Sequence, residues 1–326
     1  MRFSTVLVRG VALGALFFVA GTVAAQQSFP SRPLRLIIPF PPGGSTDPMG
    51  RMIAQRLTER WGQSVVVDNR PGGNTVIGTE ILARAAPDGY TIGWASASFF
   101  STPSLIANLP YDALKDFSAV ATIAKARNVL VVHPSIPANN LQEFIAMVKA
   151  KPGGFNFASS GIGTNTHLSG ELFNQVVGTT MVHIPYKGSG PATTDLLAGR
   201  VHLSFQVPIT VIPFITSGKM KPIAISGETR LPALPQVPTY TEAGLAGFGL
   251  TSVTALVAPG RPPRAAINRI ASELAAVLAM PATQEFMDKQ GAEPYISTPE
   301  QTAVVIRDEI ARYAKIIKTA GIKFQP

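Results

Sequence analysis

The sequence predicts an α/β protein in which short apolar strands alternate with amphipathic helices and pair into parallel sheet. Three observations predict it. Strand-like and helix-like runs alternate along most of the chain, Gly-rich bends repeatedly join a strand to the next helix, and 326 residues with 46% hydrophobic content suffice for two domains.

The first 25 residues stand apart from that pattern. Arg2 and Arg9 flank the start of an apolar run at 11–20, and Val23-Ala24-Ala25 supplies the small residues of a cleavage position, which together form a secretory signal. The run is about half the ~20 apolar residues that a spanning helix needs, so an exported chain cleaved after Ala25 is expected rather than an anchored one. There is no cysteine, which excludes disulfides, thiolate nucleophiles and Cys-based metal sites. The chain carries 28 Lys and Arg against 19 Asp and Glu, and loss of Arg2 and Arg9 lowers its net charge from +9 to +7. A basic balance of that size steers anions toward the molecule. The charges are scattered and form no basic run interleaved with aromatics, so no nucleic-acid partner is expected.

After a polar lead at 26–32, the apolar run 34–40 reads as a buried strand and enters PFPPGGSTD at 39–47. Pro41 and Pro42 stiffen the exit, while Gly43 and Gly44 leave the backbone approachable. Ser45, Thr46 or Asp47 can cap the helix that follows, whose first N–H groups have no intrahelical partner and favour an anion. Met49, Ile53, Leu57 and Trp61 give that helix one buried stripe. A second strand at 65–67 ends in a Gly-rich turn at 68–74, where Asn69 reads as a turn residue and Arg70 as a solvated cation. A third strand at 91–95 ends at Ser96-Ala97-Ser98. Strands separated in this way by helices imply right-handed crossovers, and ligands of such sheets bind beyond the strands' carboxyl ends.

The same logic recurs downstream. A strand at 129–132 precedes a helix at 141–149, and a strand at 155–158 enters SSGIGTNTH at 159–167 ahead of a helix bearing Leu168, Leu172 and Val176. A strand at 181–184 enters PYKGSG at 185–190, again ahead of a helix. Strands at 201–205 and 221–225, an apolar stretch at 251–257 and three helices complete the chain. Ile267, Ile270, Leu274 and Leu278 stripe the first of these helices, and Ile306, Ile310, Tyr313 and Ile317 the last.

Several chemistries are missing. Neither Gly-rich loop carries the Gly-Lys-Ser/Thr of a P-loop, Thr166 stands where a dinucleotide fingerprint wants Gly, and no G-x-S-x-G elbow or H-E-x-x-H pair occurs. His133, His167, His183 and His202 lie singly, without metal-ligand spacing; His167 sits in a first helical turn, where a structural hydrogen bond outweighs a ligand contact. We therefore expect no catalytic residue, no metal and no cofactor.

PFPPGGSTD, RPGGNTVIGTE at 70–80, APDGYT at 86–91, ASSGIGTNTHLSGELF at 158–173 and HIPYKGSGPATTDLLAGRV at 183–201 together resemble the Bug solute-binding proteins of tripartite tricarboxylate transport systems, from the export signal to the C-terminal helices. The resemblance implies a type II periplasmic binding protein of the Venus-flytrap kind. Its two α/β lobes, 26–126 plus 250–326 and 127–249, would be joined by crossings near Arg127 and Gly249 and would close on a small carboxylate. Carried onto matching positions, ligand contacts fall on Phe40, Gly44, Ser45, Thr46 and Ser96 in the first lobe. In the second they fall on Ser160, Gly161, Gly163, Thr164 and Gln206. The family often has Asp or Asn where this chain has Gln206, and Gly-Thr near Ala95-Ser96. The implied partners are the carboxylate and membrane transporter subunits, with the receptor itself a monomer in the periplasm. Alternatives are a periplasmic sensor and a carboxylate-processing enzyme.

Overall fold

A computed structural model describes residues 29–322; the expected signal at 1–25 lies outside the described residues. The chain begins with β1 (Leu34–Ile38), whose apolar run is buried at four of five positions because helices cover both faces of its sheet. The helix α1 (Thr46–Trp61) follows, burying Met49, Ile53 and Leu57 at four-residue steps, with Trp61 half-buried against the same core. It ends at Gly62, whose left-handed φ of 64° a Cβ would disfavour. Next come β2 (Val65–Asn69), α2 (Val76–Ala83), β3 (Thr91–Ala95), α3 (Ala97–Leu105) and the long strand β4 (Phe117–Ala126).

The chain then builds a second sheet from β5 (Val129–Val132), α4 (Leu141–Ala150), β6 (Asn156–Ser159), α5 (Asn165–Val177), β7 (Val182–Pro185), α6 (Ser189–Leu197), β8 (Leu203–Gln206), α7 (Pro208–Thr216) and β9 (Lys221–Ile225). It returns to the first sheet with β10 (Ser252–Pro259), α8 (Arg264–Leu278), α9 (Pro281–Lys289), β11 (Ala292–Pro294) and α10 (Pro299–Thr319). The stripes expected in α8 and α10 are buried, Ile310 only in part.

The result is two α/β lobes. The first sheet has the order β11-β4-β10-β3-β1-β2, the second β7-β6-β8-β5-β9. β1 pairs in parallel with β2 and β3, and β6 with β7 and β8, as the strand–helix alternation predicts. The sheets are nonetheless mixed: β10 runs antiparallel to β3 and β4, and β5 antiparallel to β8 and β9. The reason is topological. β4 carries the chain out of the first sheet and β10 brings it back alongside, so the two must run in opposite senses.

Between the sheets the chain crosses at Arg127-Asn128 and again ahead of Ser252. Asn128 ties the crossings together: its N–H donates to Ser226 Oγ (2.8 Å) and its Nδ2 to Ser169 Oγ (2.9 Å) and Leu250 O (3.5 Å). The lobes also meet beside the crossings, where Leu168 of α5 joins the apolar cluster of the first lobe and Ser101 Oγ of α3 donates to Gly163 O (2.8 Å).

Candidate carboxylate site

A cavity of about 190 Å³ lies between the lobes. Five helices begin at its wall. From the first lobe come Ser45 and Thr46 at the start of α1 and Ser96 to Ser98 at the start of α3; from the second come Thr164 to Thr166 of α5, Gly188 to Pro191 of α6, and Val207 and Ile209 of α7. Each such end presents N–H groups without an intrahelical partner, and the aligned peptide dipoles place partial positive charge there. Five starts around one small space make an anion-favouring site, to which α7, opening on Pro208 without an N–H, contributes least.

The loops are built to hold those ends still. Ser45 makes no side-chain cap; Asp47, in the first turn, does the bracing instead. Its Oδ2 accepts from the Gly43 N–H (3.1 Å) and Arg51 Nε (2.9 Å), and its Oδ1 from Asn69 Nδ2 (3.0 Å). Asn69 also donates to Phe40 O (3.1 Å), so the turn after β2 is fastened to the loop after β1, a larger role than that of a turn residue. Arg70 pairs with Asp68 at 2.8 Å. Burial pushes the Asp47 carboxyl up, but the bonds from Arg51, Gly43 and Asn69 outweigh it and hold its pKa below the ordinary carboxylate range.

In the second lobe Thr164 caps α5, accepting from the His167 N–H (3.4 Å) and donating from its hydroxyl to Gly161 O (2.6 Å). Thr166 Oγ1 accepts from the Ser160 N–H (2.8 Å). The next loop is zipped onto this one, Gly188 N–H donating to Ser160 O (3.1 Å), and is pinned from outside by Tyr186 Oη donating to Asp195 (2.7 Å).

Of the residues singled out in the sequence, Phe40, Gly44, Ser45, Thr46, Ser96, Ser160 and Thr164 line this one cavity. Gly161, Gly163 and Gln206 do not. Gly163 has a left-handed φ of 73° and its side-chain direction meets Leu105 and Ser101 of α3, while that of Gly161 meets Tyr186 O, Asn74 and Thr164. Gln206 is fully buried, its Oε1 accepting from Thr210 Oγ1 (3.4 Å) and its Nε2 without a partner among the described residues. His167 also faces elsewhere: its Nδ1 accepts from the Gly163 N–H (3.0 Å) and its ring stacks on His183 at 3.9 Å.

Sequence reasoning left the role of Lys187 open and missed two further parts of the wall. Lys187 lines the cavity and is the only charged residue that does so among those described. The apolar floor comes from Met49, Trp94, Ala124, Ala126 and Ala292, and Gln290 adds a buried amide from the far end of the chain. Nothing local in the sequence marks 290 as close to 40; only the return of β10 and β11 into the first sheet brings it there.

Residues 49–322 match the family described as Tripartite tricarboxylate transporter family receptor, TctC. The chain belongs to that family. Protein BugT of Bordetella pertussis is 38% identical over 98% of this chain and 99% of its own length. Among solved structures, the periplasmic binding protein BugD superposes with a TM-score of 0.83 at 34% identity, covering 91% of this chain and all of that one. An R. palustris protein solved with adipate superposes with a TM-score of 0.86 at 34% identity, covering 90% of this chain and 99% of that one. The molecule is accordingly a solute-binding receptor of the Bug type and not an enzyme, and no described helix is long and apolar enough to cross a membrane.

Proposed function

We propose that this receptor captures a small carboxylate in the periplasm between two lobes, 26–126 plus 250–326 and 127–249, and delivers it to a tripartite membrane transporter. The convergence of five helix starts, two from one lobe and three from the other, on a single cavity carries the proposal. Phe40, Gly44, Ser45, Thr46, Ser96, Ser160 and Thr164 contact the ligand. Gly161, Gly163 and Gln206 shape the loops behind them. The R. palustris relative solved with adipate supports a carboxylate as the ligand class.

Magnitudes explain why both lobes are needed. A hydrogen bond to a charged group contributes about 1.5–3 kcal/mol, so four of them give roughly 6–12. Association costs about 4–15 kcal/mol, and micromolar binding requires about −8. One lobe's loops fall short; closure, which adds the other lobe's donors and expels water, makes up the difference. Lys187 adds long-range attraction at an exposed position.

Calorimetry with a panel of small carboxylic acids tests the proposal. Thr46→Ala combined with Thr164→Ala is expected to weaken the best binder by at least ~10-fold, about 1.4 kcal/mol. Unchanged affinity in the double variant, with the same acid bound, would contradict it.

A further inference from the structure

The cavity differs from end to end. At one end Gly188 faces Pro41 across the lobes, and at the other Gly291 packs on Pro208. The two ends correspond to β1 and β11, which lie apart in the first sheet. The Pro41 end gathers the starts of α1 and α6 and the Lys187 ammonium. The Pro208 end has only α7, and it is a poor anion site: Pro208 at its first position has no N–H, and the Thr210 N–H is already given to Val207 O (3.0 Å). No cation lines that end among the described residues. What lines it is mostly apolar, Ala126, Ala292, Val207 and Ile209, with Ser252, the strand partner of Ala126, and Gln290 as its polar members.

Gln290 is the amide among them. It closes α9, is 8% exposed, and its Oε1 is buried without a hydrogen-bond partner among the described residues. An unpaired buried amide is costly, and a site that keeps one rewards a ligand that pairs it. Ser98, 1% exposed, likewise lines the cavity with a hydroxyl that has no partner among the described residues.

Building on the carboxylate-binding reading above, we infer that Gln290 is the specificity-determining residue at the far end. The ligand is a monocarboxylate whose opposite end carries one uncharged hydrogen-bonding group, a hydroxyl or an amide. A second carboxylate there meets no cation and only a weakened helix start, so a dicarboxylate is disfavoured.

The test is calorimetry on the full chain with two matched sets of acids: a six-carbon ω-hydroxy acid, hexanoate and adipate, and para-hydroxybenzoate, benzoate and terephthalate. In at least one set the wild-type protein is expected to bind the hydroxy acid at least ~10-fold more tightly than either companion. Gln290→Met, of equal length, is expected to bring the hydroxy and plain acids of that set within about twofold of each other. Gln290→Lys is expected to turn the preference toward the diacid, and melting curves establish that both variants fold. A wild-type preference for the diacid, or an unchanged hydroxy-to-plain ratio in Gln290→Met, overturns the role of Gln290 alone. Absence of binding by all six acids overturns the carboxylate reading with it.

Discussion

At the scale of single residues, Asp47 shows how a group that touches no ligand organises the site. Sequence alone offered it as a helix cap beside Ser45 and Thr46, and the structure gives it three partners, Gly43 in the loop after β1, Arg51 on α1 and Asn69 at the end of β2. Asp47→Ala removes the charged acceptor of the Gly43 N–H and of Arg51 and one of the two bonds of the Asn69 amide, and a bond to a charged group contributes about 1.5–3 kcal/mol. We expect a loss of about 2 kcal/mol in chemical denaturation, with weaker ligand binding because the start of α1 is released. Asp47 is held below its unfolded pKa, so its stabilisation is present above that value and is lost as pH falls through the folded one. His183 acts in the same pH direction for a different reason. Burial, and secondarily the His167 ring beside it, push its pKa down from 6.5 to about 3. The folded form thus holds it neutral while the unfolded chain takes up a proton below 6.5, so its contribution is complete above 6.5 and is lost as pH falls toward 3. Its surroundings contain Glu171 on α5, near His167 Nε2 at 3.7 Å, and Ser159, whose Oγ lies 2.6 Å from His183 Nε2. Melting temperatures from pH 7.5 to 4.5 are expected to fall less steeply in His183→Gln than in the wild type.

At the scale of elements, what was legible in the sequence followed the regularity of the pattern. β1, α1, β3, β5 and β9 lie where their apolar runs and stripes place them, because each is a regular local pattern that neighbouring residues alone determine. The segment 97–126 gave no such signal. α3 is nearly all buried, at Ala97, Ser98, Phe99, Phe100, Ser101 and Thr102, so it has no polar face to create a period, and Pro103 lies inside it. β4 has both faces against other elements for much of its length, which likewise removes alternation. The glycines of the second loop were legible as loop-formers but not by function. Gly163 lines no ligand cavity; it lets α5 approach α3, since a Cβ there would overlap Leu105 and lie 2.7 Å from Ser101 Oγ. Gly163→Ala, strained at φ 73° as well, is expected to separate α5 from α3 and weaken ligand binding. The measurement is affinity against melting temperature: a drop in affinity of at least ~10-fold with a melting point lowered by only a few degrees separates a closure defect from a folding defect.

At the scale of the whole molecule, the two-lobed plan turns weak, neutral donors into a binding site by supplying them from both sides. The plan itself was visible from the family resemblance; the wall residues contributed by the chain's return, Gln290 and Ala292, were not, because contacts between residues some 250 positions apart leave no mark on local composition. Coupling between the lobes runs through Asn128, whose side chain bonds Ser169 in one lobe's helix and Leu250 at the returning crossing. Asn128→Ala is expected to loosen that junction, and small-angle scattering should show a larger radius of gyration than the wild type's under saturating ligand. The central claim is that a carboxylate sits where helix starts from both lobes meet, and a crystal structure of the receptor with its tightest-binding acid tests it most directly. The account predicts carboxylate oxygens about 2.7–3.2 Å from N–H or hydroxyl groups of Ser45 or Thr46 on one side and of Thr164, Thr166 or Ser189 on the other. An acid held by one lobe alone, or seated outside the cavity, would contradict it.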